Sequence, residues 1–410
     1  MLDLSKSTHR IRLAWAGFAF VYIAIGLLAA GAKPTPDEIA HYSHINWFDH
    51  GKFKIAWDIL TVLPGYHAIS AAILWATDLR TLAAARWLNA VYGLLAIAAF
   101  HWVRRSSAGK GEAAATLQFA LLPILFPYDF MVYTDVLSLA VVLAAGAMTL
   151  SGRHVISGAL MILALCIRQT NVIWLPLYAW LAVSGDRAFL LPLPSMREMW
   201  ARVWPYAAGV GAFAGYWAWN GSISLSKEQA TMHPDFSIHV GNVYFTLLLC
   251  AALFPLHVGI GLKAFAVQVR TRPWLITIPL AAFALFWLLF RVDHPFNQAV
   301  EPWMAHNRVI LLAQSAWQWK AAFGLLAVAA GCGLAGTRLR PPSAWMLYPL
   351  GLIALLSAWM IEHRYALVPI AFWLVFRERQ NKKIETATTA LWAVLAVCAC
   401  LGQISGRFSL

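Results

Sequence analysis

The sequence is poor in charged residues, and poorest in acidic ones. Only 12% of the 410 residues are charged, with 18 Asp and Glu against 31 Lys and Arg, whereas 61% are hydrophobic. A soluble protein of this length could not bury so much apolar surface. The composition therefore excludes a soluble globular protein and predicts a polytopic membrane protein.

Cysteine is scarce, and period-two alternation is missing. The chain has five cysteines, all inside apolar runs, which argues against a disulfide framework or a zinc–thiolate site. The apolar runs are separated by short loops that carry Arg and Lys, and they lack the weak alternation of barrel strands. We therefore predict an all-α polytopic fold, with residues 1–410 forming a single membrane domain.

The positions of the basic residues predict the orientation of the chain. We expect about thirteen spans of roughly 20 residues, with shorter ones inside the bundle. Placing the basic N-terminus in the cytoplasm puts the other Arg- and Lys-rich loops on that same side. Residues 32–80 then form the first outer loop, in which "LPGYHAISAAILWATD" (63–78) lies at the interface and does not span. The excess positive charge fits cytoplasmic loops, so no nucleic-acid partner is expected.

The outer loops collect most of the carboxylates and histidines, and the first loop begins with "TPDE" (35–38). Thr35 is a good helix N-cap and Pro36 suits the first helical position. Glu38 has the spacing of a capping box, in which its side chain reaches back to the Thr35 N–H. Asp37 has no such duty, so it is the better candidate for a catalytic base, with Glu38 as the second.

A metal site is the alternative use of the first-loop helix. Asp37, His41 and His44 share one face of that helix through their spacing. The spacing is not that of a H-E-x-x-H motif, and further ligands are unspecified. We therefore assign no metal ligand and no cofactor, and metal dependence stays open.

Several stretches together resemble one known family. They are "DEIAHYSHINWFDHGKFKIAWDILTVLPGYH" (37–67), "FPYDFMVYTD" (126–135), "RQTNVIW" (168–174), "HNR" (306–308) and "EHRYALVP" (362–369). In this order they are similar to the dolichyl-phosphate-glucose α-1,2-glucosyltransferases, which add the last glucose to the lipid-linked N-glycan precursor and belong to the GT-C superfamily. The motif "RQTNVIW" is the most specific of them.

The resemblance implies a GT-C-type fold with a long helical first outer loop. It also implies a hexose donor, glucose carried on a polyprenyl phosphate, and a glycan or lipid-linked acceptor on the outer face. The donor's β-linkage would become an α-1,2 linkage by one displacement with inversion, which requires one base and not a second carboxylate. Position and analogy favour Asp37 as that base. Asp135 is the next carboxylate to consider, with a helix N-terminal cap as its structural alternative.

Arginine suits the departing lipid phosphate because its guanidinium binds phosphate through paired, charge-assisted hydrogen bonds. We rank Arg364 and Arg308 first for this role. Pairing with Glu362 or snorkelling to the interface is the structural alternative for Arg364. The neighbouring residues proposed to assist in substrate binding are His306, Asn307 and His363.

The polar cluster "RQTN" interrupts an apolar run, so it should face a cavity or bond to neighbouring helices. Arg168, Gln169 and Asn171 could bind the donor phosphate or the sugar hydroxyls. They could equally hold the first-loop helix in place, and the sequence does not separate the two roles.

Three rival functions remain. A transporter or flippase of lipid-linked sugars would typically show internal repeats, and none is visible. A GT-C transferase with another sugar donor and a protein or lipid A acceptor would keep the fold and the role of Asp37. A non-catalytic scaffold gives no reason for acids, histidines and arginines to collect on one side. Ala-, Arg- and Trp-rich usage predicts a bacterial protein. Together with the orientation and the resemblance, this leads us to expect an inner-membrane protein with its active site on the periplasmic face, or an endoplasmic reticulum protein if the chain is eukaryotic.

Overall fold

The computed structural model describes residues 2–108, 112–189, 194–227, 229–235, 237–298 and 307–407. Their regular secondary structure is helical, apart from an isolated antiparallel bridge between Leu339 and Arg377. The α-helices are α1 (Leu2–Ala30), α2 (Pro36–Asp49), α3 (Phe53–Ile59), α4 (Gly65–Ala76), α5 (Leu82–Ala108), α6 (Glu112–Ala120), α7 (Thr134–Leu150), α8 (His154–Ile167), α9 (Leu175–Ser184), α10 (Met196–Asn220), α11 (Gly241–Leu253), α12 (Pro255–Thr271), α13 (Thr277–Leu289), α14 (Pro295–Gln298), α15 (Arg308–Ser315), α16 (Trp317–Ala335), α17 (Leu347–Leu356), α18 (Leu367–Phe376) and α19 (Lys382–Ile404). Short 3-10 segments cover Phe126–Phe130, Gln169–Trp174, Gln229–Thr231, Pro273–Ile276, Pro342–Met346 and His363–Ala366.

The predicted class, an all-α polytopic membrane protein, is confirmed. By length and composition, 4 helices of the described part of the chain could each cross a membrane, namely α1, α5, α16 and α19. The count becomes 5 if α11 and α12, which meet at a bend of 104°, form one broken span. Shorter apolar helices, among them α7 and α8, make up much of the remaining bundle. The expected number of about thirteen spans is not confirmed, because many apolar runs form helices shorter than a full span.

Helix α5 relates the two ends of the bundle. It carries a buried arginine near each end, Arg86 in its first turns and Arg104 in its last. At 1.5 Å per residue these positions are about 27 Å apart along the helix, which is close to the thickness of a bilayer's hydrocarbon core. Arg86 bonds to the chain that follows α1 and to α2, whereas Arg104 donates to the backbone at the end of α18. The first loop and the end of α18 therefore lie at opposite ends of α5.

The first loop folds into helices α2, α3 and α4 and packs against the bundle. Helix α4 has 12 residues, too few to cross a bilayer at 1.5 Å per residue. Gly65 opens α4 directly against the end of α8, where an added Cβ would lie 2.5 Å from the Cys166 carbonyl oxygen. A side chain at this position would force the two backbones apart. The glycine thus brings the first loop against the chain just before Arg168.

Candidate active site

The entry into α2 separates the two neighbouring acids of the first loop. The Thr35 side chain accepts a hydrogen bond from the Glu38 N–H at 3.3 Å, as the N-cap prediction requires. The Glu38 carboxylate does not return to the Thr35 N–H. It accepts two bonds from Arg86, at 2.8 and 2.6 Å, and one from the Val132 N–H at 3.2 Å. The expected second half of the capping box is therefore wrong, because a buried guanidinium is the stronger partner for this carboxylate.

Asp37 points the other way. Its side chain is 61% exposed, whereas Glu38 is 1% exposed. One Asp37 carboxylate oxygen lies 3.8 Å from Nη2 of Arg364. Of these two first-loop acids, Asp37 is thus the one that an incoming hydroxyl could reach.

Arg364 links Asp37 to the start of the last apolar helices. Its Nε and Nη2 donate to the Glu362 carboxylate at 2.5 and 2.7 Å, so the pairing foreseen as its structural alternative does occur. Its Nη1 lies 3.9 Å from Asp135, beyond direct hydrogen bonding. The guanidinium carbon lies 5.2 Å from the ring centroid of Tyr133, in a cation–π arrangement. These contacts fix the plane of the guanidinium beside Asp37.

Asp135 lies in the first turn of α7 and joins a second arginine to the same group. Arg168 donates from Nη1 to the Asp135 carboxylate at 2.5 Å and to the Thr134 hydroxyl at 3.2 Å. An acid in a first turn is also favoured by the helix dipole, so the helix-start alternative and the ion pair coexist. We call Asp37, Asp135, Arg168, Glu362 and Arg364 the Asp37 cluster. Residues from four motifs of the sequence thus meet in one place.

Gln169 is placed away from this cluster and holds the first loop. Its amide nitrogen donates to the carbonyls of Thr61 and Ile223, both at 2.8 Å, and its oxygen accepts from the Leu63 N–H at 3.1 Å. All of these partners are backbone groups. The geometry therefore supports the holding role for Gln169 rather than contact with a substrate.

Asn171 is also buried, and it bonds within the bundle. Its amide nitrogen donates to the Ser138 hydroxyl and to the Ala164 carbonyl, both at 2.8 Å. Of the predicted substrate-binding residues in "RQTN", Arg168 is the one that bonds to another member of the Asp37 cluster, the Asp135 carboxylate.

The "HNR" motif is only partly described. His306 lies outside the described residues. Asn307 caps α15 by accepting from the N–H groups of Val309 and Ile310, and Arg308 is exposed at the first position of that helix. Within the part of the chain that the structure describes, no ion pair connects Arg308 to the Asp37 cluster. Its predicted role at the phosphate stays a prediction.

His363 follows Glu362 and faces a different partner. Its Nε2 lies 2.8 Å from the Tyr128 hydroxyl, and the two rings stack with centroids 5.5 Å apart. The Tyr128 carbonyl accepts from Asn89, which also accepts from Tyr66 of α4. His363 therefore belongs to a chain of hydrogen bonds that links the residue before Arg364 to Tyr128, Asn89 and Tyr66.

Sequence reasoning missed three further residues near the site. Arg86 lies just beyond the first outer loop and was assigned no role, and Tyr133 was quoted only as part of "FPYDFMVYTD". His233 lies in the connection between α10 and α11. Burial, reinforced by the positive charges of Arg364 and Arg168 and by His294, lowers the pKa of His233 to about 4. No motif spacing pointed to His233.

His67, at the start of α4, completes a group of three imidazoles with His41 and His44 of α2. Their ligand-capable atoms lie within 4.8 Å of one another, and Nδ1 of His41 is 3.0 Å from Nε2 of His67. Burial lowers the pKa of His41 and of His44 to about 4, although nearby Asp37 acts in the opposite sense on His41. Burial, reinforced by the other two imidazoles, also holds the pKa of His67 well below its usual range. The three rings are therefore neutral near pH 7.

Comparison with known proteins places this geometry in context. Residues 32–188 match the model of the DIE2/ALG10 family. That range contains Asp37, Asp135 and Arg168, and it ends before Arg364 and Arg308. No solved structure matches the chain significantly.

Three curated relatives illustrate the similarity, and all carry the name Dol-P-Glc:Glc(2)Man(9)GlcNAc(2)-PP-Dol alpha-1,2-glucosyltransferase. A Drosophila melanogaster protein is 25% identical over 88% of this chain and 87% of its own length. An Arabidopsis thaliana protein is 31% identical over 39% of this chain and 34% of its own length. A human protein is 28% identical over 35% of this chain and 34% of its own length. The resemblance predicted from the motifs is confirmed, and with it the class of enzyme, a membrane glycosyltransferase.

Proposed function

We propose that this relative of the DIE2/ALG10 family moves glucose from a polyprenyl-phosphate donor to a glycan or lipid-linked acceptor, forming an α-1,2 linkage with inversion. The observation that carries the proposal is an accessible carboxylate beside a fixed guanidinium. Asp37 is 61% exposed and lies 3.8 Å from Arg364. A single displacement at a sugar carbon needs a base for the incoming hydroxyl and a cation for the departing phosphate, and the Asp37 cluster contains both kinds of group.

The reaction balances with these groups alone. The acceptor hydroxyl oxygen attacks C1 of glucose on the face opposite the phosphate, and its proton passes to the Asp37 carboxylate. The new C1–O bond forms as the bond from C1 to the phosphate oxygen breaks, and the electron pair leaves with the polyprenyl phosphate. One displacement converts a β-linked donor into an α-linked product, so no second carboxylate nucleophile is needed.

Arg364 is the main candidate for the leaving phosphate. Glu362 accepts hydrogen bonds from Nε and Nη2 of Arg364. Nη1 of Arg364 lies beyond hydrogen-bonding distance of the Asp135 carboxylate, which instead pairs with Arg168. A guanidinium held on one edge presents its remaining donors at low entropic cost. Arg168, paired with Asp135, is positioned to assist, and exposed Arg308 remains a candidate for a phosphate or acceptor contact.

Glu38 is unsuited to the role of base. Its carboxylate is buried and accepts three hydrogen bonds, two of them from Arg86. Taking a proton there would leave Arg86 without its counter-charge in a buried site, which is costly. Glu38 instead anchors the helix that presents Asp37.

For the location, we propose the outer face of the membrane: the periplasmic face of a bacterial inner membrane, or the lumenal face of the endoplasmic reticulum if the chain is eukaryotic. Support comes from the separation of the Arg86 and Arg104 ends of α5 and from the basic loops expected at the Arg104 end. The Asp37 cluster then lies at the end of the bundle where a lipid-linked donor can present its head group.

The test is sugar transfer in vesicles reconstituted with the purified protein. Polyprenyl phosphates carrying labelled glucose, mannose or aminoarabinose are offered in parallel with a pool of lipid-linked and free glycans. We expect the glucosyl donor to be consumed fastest, with release of polyprenyl phosphate and an α-1,2-linked product by NMR. Preference for another sugar would favour the second transferase, and movement of intact donor across the bilayer without release of phosphate would favour a flippase.

A further inference from the structure

We propose that His41, His44 and His67 form a binding site for a divalent transition-metal ion of the zinc type. We call these three residues the imidazole triad. The inference concerns ion binding by the first loop and does not depend on the identity of the sugar donor.

The positions of the three rings follow from two packed helices. His41 and His44 are three residues apart on α2 and so lie on the same face, and His67 is in the first turn of α4. The ring centroids of His41 and His67 are 5.2 Å apart, and those of His44 and His67 are 5.3 Å apart. Gly65, two residues before His67, fixes where α4 begins against α8. The triad is therefore held by rigid elements rather than by a loop tip.

The spacing fits one small ion. A tetrahedral zinc site has metal–nitrogen distances of about 2.0–2.1 Å, which separates its ligand atoms by about 3.3 Å. In the triad Nδ1 of His41 is 3.0 Å from Nε2 of His67, and one ring nitrogen can be chosen from each histidine so that all three lie within 4.8 Å of one another. Rotating the side chains so that the widest nitrogen–nitrogen separation shortens by about 1.5 Å would give the separation that a tetrahedral site requires.

Unpartnered buried nitrogens provide a second, independent observation. Nδ1 of His44 and Nδ1 of His67 are buried, and neither has a hydrogen-bond partner among the described residues. His67 is fully buried and His44 is 6% exposed, so solvent does not readily compensate. Leaving such polar atoms unsatisfied is unfavourable, and a cation would supply a partner to whichever of these two nitrogens it binds. If the three histidines only bonded to one another, without an ion, the Nδ1 atoms of His44 and His67 would stay unsatisfied.

The chemistry of the triad selects the class of ion. Each imidazole can offer one ring nitrogen with a free lone pair to a metal ion. An all-nitrogen set suits zinc and its neighbours, whereas magnesium and calcium prefer oxygen ligands. Three protein ligands leave a fourth position open, as in catalytic zinc sites.

The location makes such an ion relevant to its surroundings. His41 lies one turn after Asp37 on α2, and its ring is 5.3 Å from that of Tyr133, which stacks on Arg364. By formal charge the Asp37 cluster holds three carboxylates and two arginines. A divalent cation in the triad would add positive charge next to the place where we expect a phosphate to depart.

The test measures the ion directly, on the full chain purified in detergent with every affinity tag removed. The protein is freed of metal with a chelator, re-equilibrated with Zn²⁺ or Co²⁺, and passed through a desalting column. We expect one Zn²⁺ per chain by mass spectrometry and the visible absorption bands of tetrahedral Co²⁺. X-ray absorption at the zinc edge of the parent protein should show about three imidazole nitrogens at roughly 2.0 Å.

Variants locate the ion. His44→Gln keeps the size and polarity of the side chain and should weaken binding at least tenfold, as should His67→Gln. His50→Gln, on an exposed histidine just after α2, is the matched control and should bind like the parent. Because His67 is fully buried, its variant is judged only if its thermal unfolding resembles that of the parent; His44→Gln and the zinc-edge spectrum do not depend on it.

Three results would overturn the proposal: no retained ion, a zinc shell made of oxygen or sulfur, or equal binding by His44→Gln and the parent. All of these measurements omit the sugar donor. Failure of the ion to bind would therefore leave the glucosyltransferase proposal untouched, and failure of sugar transfer would not affect the metal result.

Discussion

Two groups of charged residues, one near each end of α5, use the same residue types for different purposes. The Arg377 cluster, near Arg104, consists of Arg104, Gln118, His257, Arg377 and Glu385. Arg377 donates to both carboxylate oxygens of Glu385, at 2.8 and 2.7 Å, and to Gln118 at 2.7 Å. The side chains of Arg377 and Glu385 are 2% and 3% exposed. The Asp37 cluster, near Arg86, has the same kind of bidentate pair in Glu362 and Arg364, but it also includes a carboxylate that is 61% exposed.

The difference shows how to tell a structural ion pair from a reactive one. In the Arg377 cluster the charges are closed in on one another and on the backbone, so removing one leaves an uncompensated buried charge. In the Asp37 cluster, Glu362 and Asp135 position the arginines, while Asp37 adds an open edge. Substitutions in the first cluster should therefore reduce stability, and substitutions at the open edge of the second should reduce transfer without unfolding the protein.

The largest stability effect is expected from Glu385→Gln. It leaves the Arg377 guanidinium buried without its counter-charge and should lower the free energy of unfolding by about 3–5 kcal/mol. Thermal unfolding in detergent, followed by tryptophan fluorescence, measures the change. The matched control is Glu378→Gln, which breaks the exposed pair with Arg340 and should cost at most about 1 kcal/mol. Equal losses in the two variants would show that the Arg377 cluster is not a structural centre.

Arg364→Lys tests whether the Asp37 cluster contributes to transfer of the sugar. Lysine keeps the charge but loses the planar, bidentate geometry toward Glu362 and a phosphate. Hydrogen bonds to charged groups contribute about 1.5–3 kcal/mol, so kcat/KM for the lipid donor should fall roughly 10- to 150-fold. Steady-state kinetics over a range of donor concentrations measures it, with Arg340→Lys as the control. An unchanged kcat/KM would remove Arg364 from the phosphate site.

Gln169→Leu should destabilise the packing of the first loop, which carries Asp37. It removes two donated bonds and one accepted bond that join Gln169 to Thr61 and Leu63 of the first loop and to Ile223. We expect a loss of about 1–3 kcal/mol in unfolding free energy, since backbone groups are left unsatisfied. The neighbouring Thr170 is exposed, and Thr170→Val is the control. A variant with normal stability but a raised donor KM would instead assign Gln169 to the substrate.

The smallest expected effect concerns pH and His233. Its pKa falls from 6.5 to about 4 through burial, then through His294, Arg364 and Arg168. The unfolded chain therefore binds a proton between these values that the folded chain does not, so stability is complete above about pH 6.5 and is lost as pH falls toward 4. His233→Gln should reduce this acid-side slope relative to the parent, whereas His50→Gln should not. Identical slopes in the parent and His233→Gln would show that His233 is not held in its neutral form.

The contrast between the clusters was only partly visible in the sequence. The spacing in "TPDE" predicted that Asp37 would be less engaged than Glu38, and "EHRY" placed Glu362 beside Arg364. The true partner of Glu38 is Arg86, 48 residues further on, because that pairing depends on how α2 packs against α5. No local pattern encodes such a contact.

The helix lengths and the polar interruption show the same limit. An apolar run beginning near residue 242 reads as one span, yet α11 and α12 meet at 104° beside Pro255. The polar residues of "RQTN" indicated either a functional or a structural role. That Arg168 bonds to Asp135 while Gln169 bonds to backbone carbonyls depends on tertiary contacts that the sequence does not show. The proximity of His67 to His41 and His44 depends on the packing of α4 against α2, which the sequence did not predict.

The most direct test of the account compares the parent with Asp37→Asn in vesicles supplied with labelled polyprenyl-phosphate glucose. The substitution keeps size and hydrogen bonding while removing the base, and general base catalysis contributes about 10²–10⁴-fold. We predict a loss of that size in the rate of transfer, with thermal unfolding and donor binding like those of the parent. Transfer by Asp37→Asn at the parent's rate would contradict the account and would move the search for the base to Asp135.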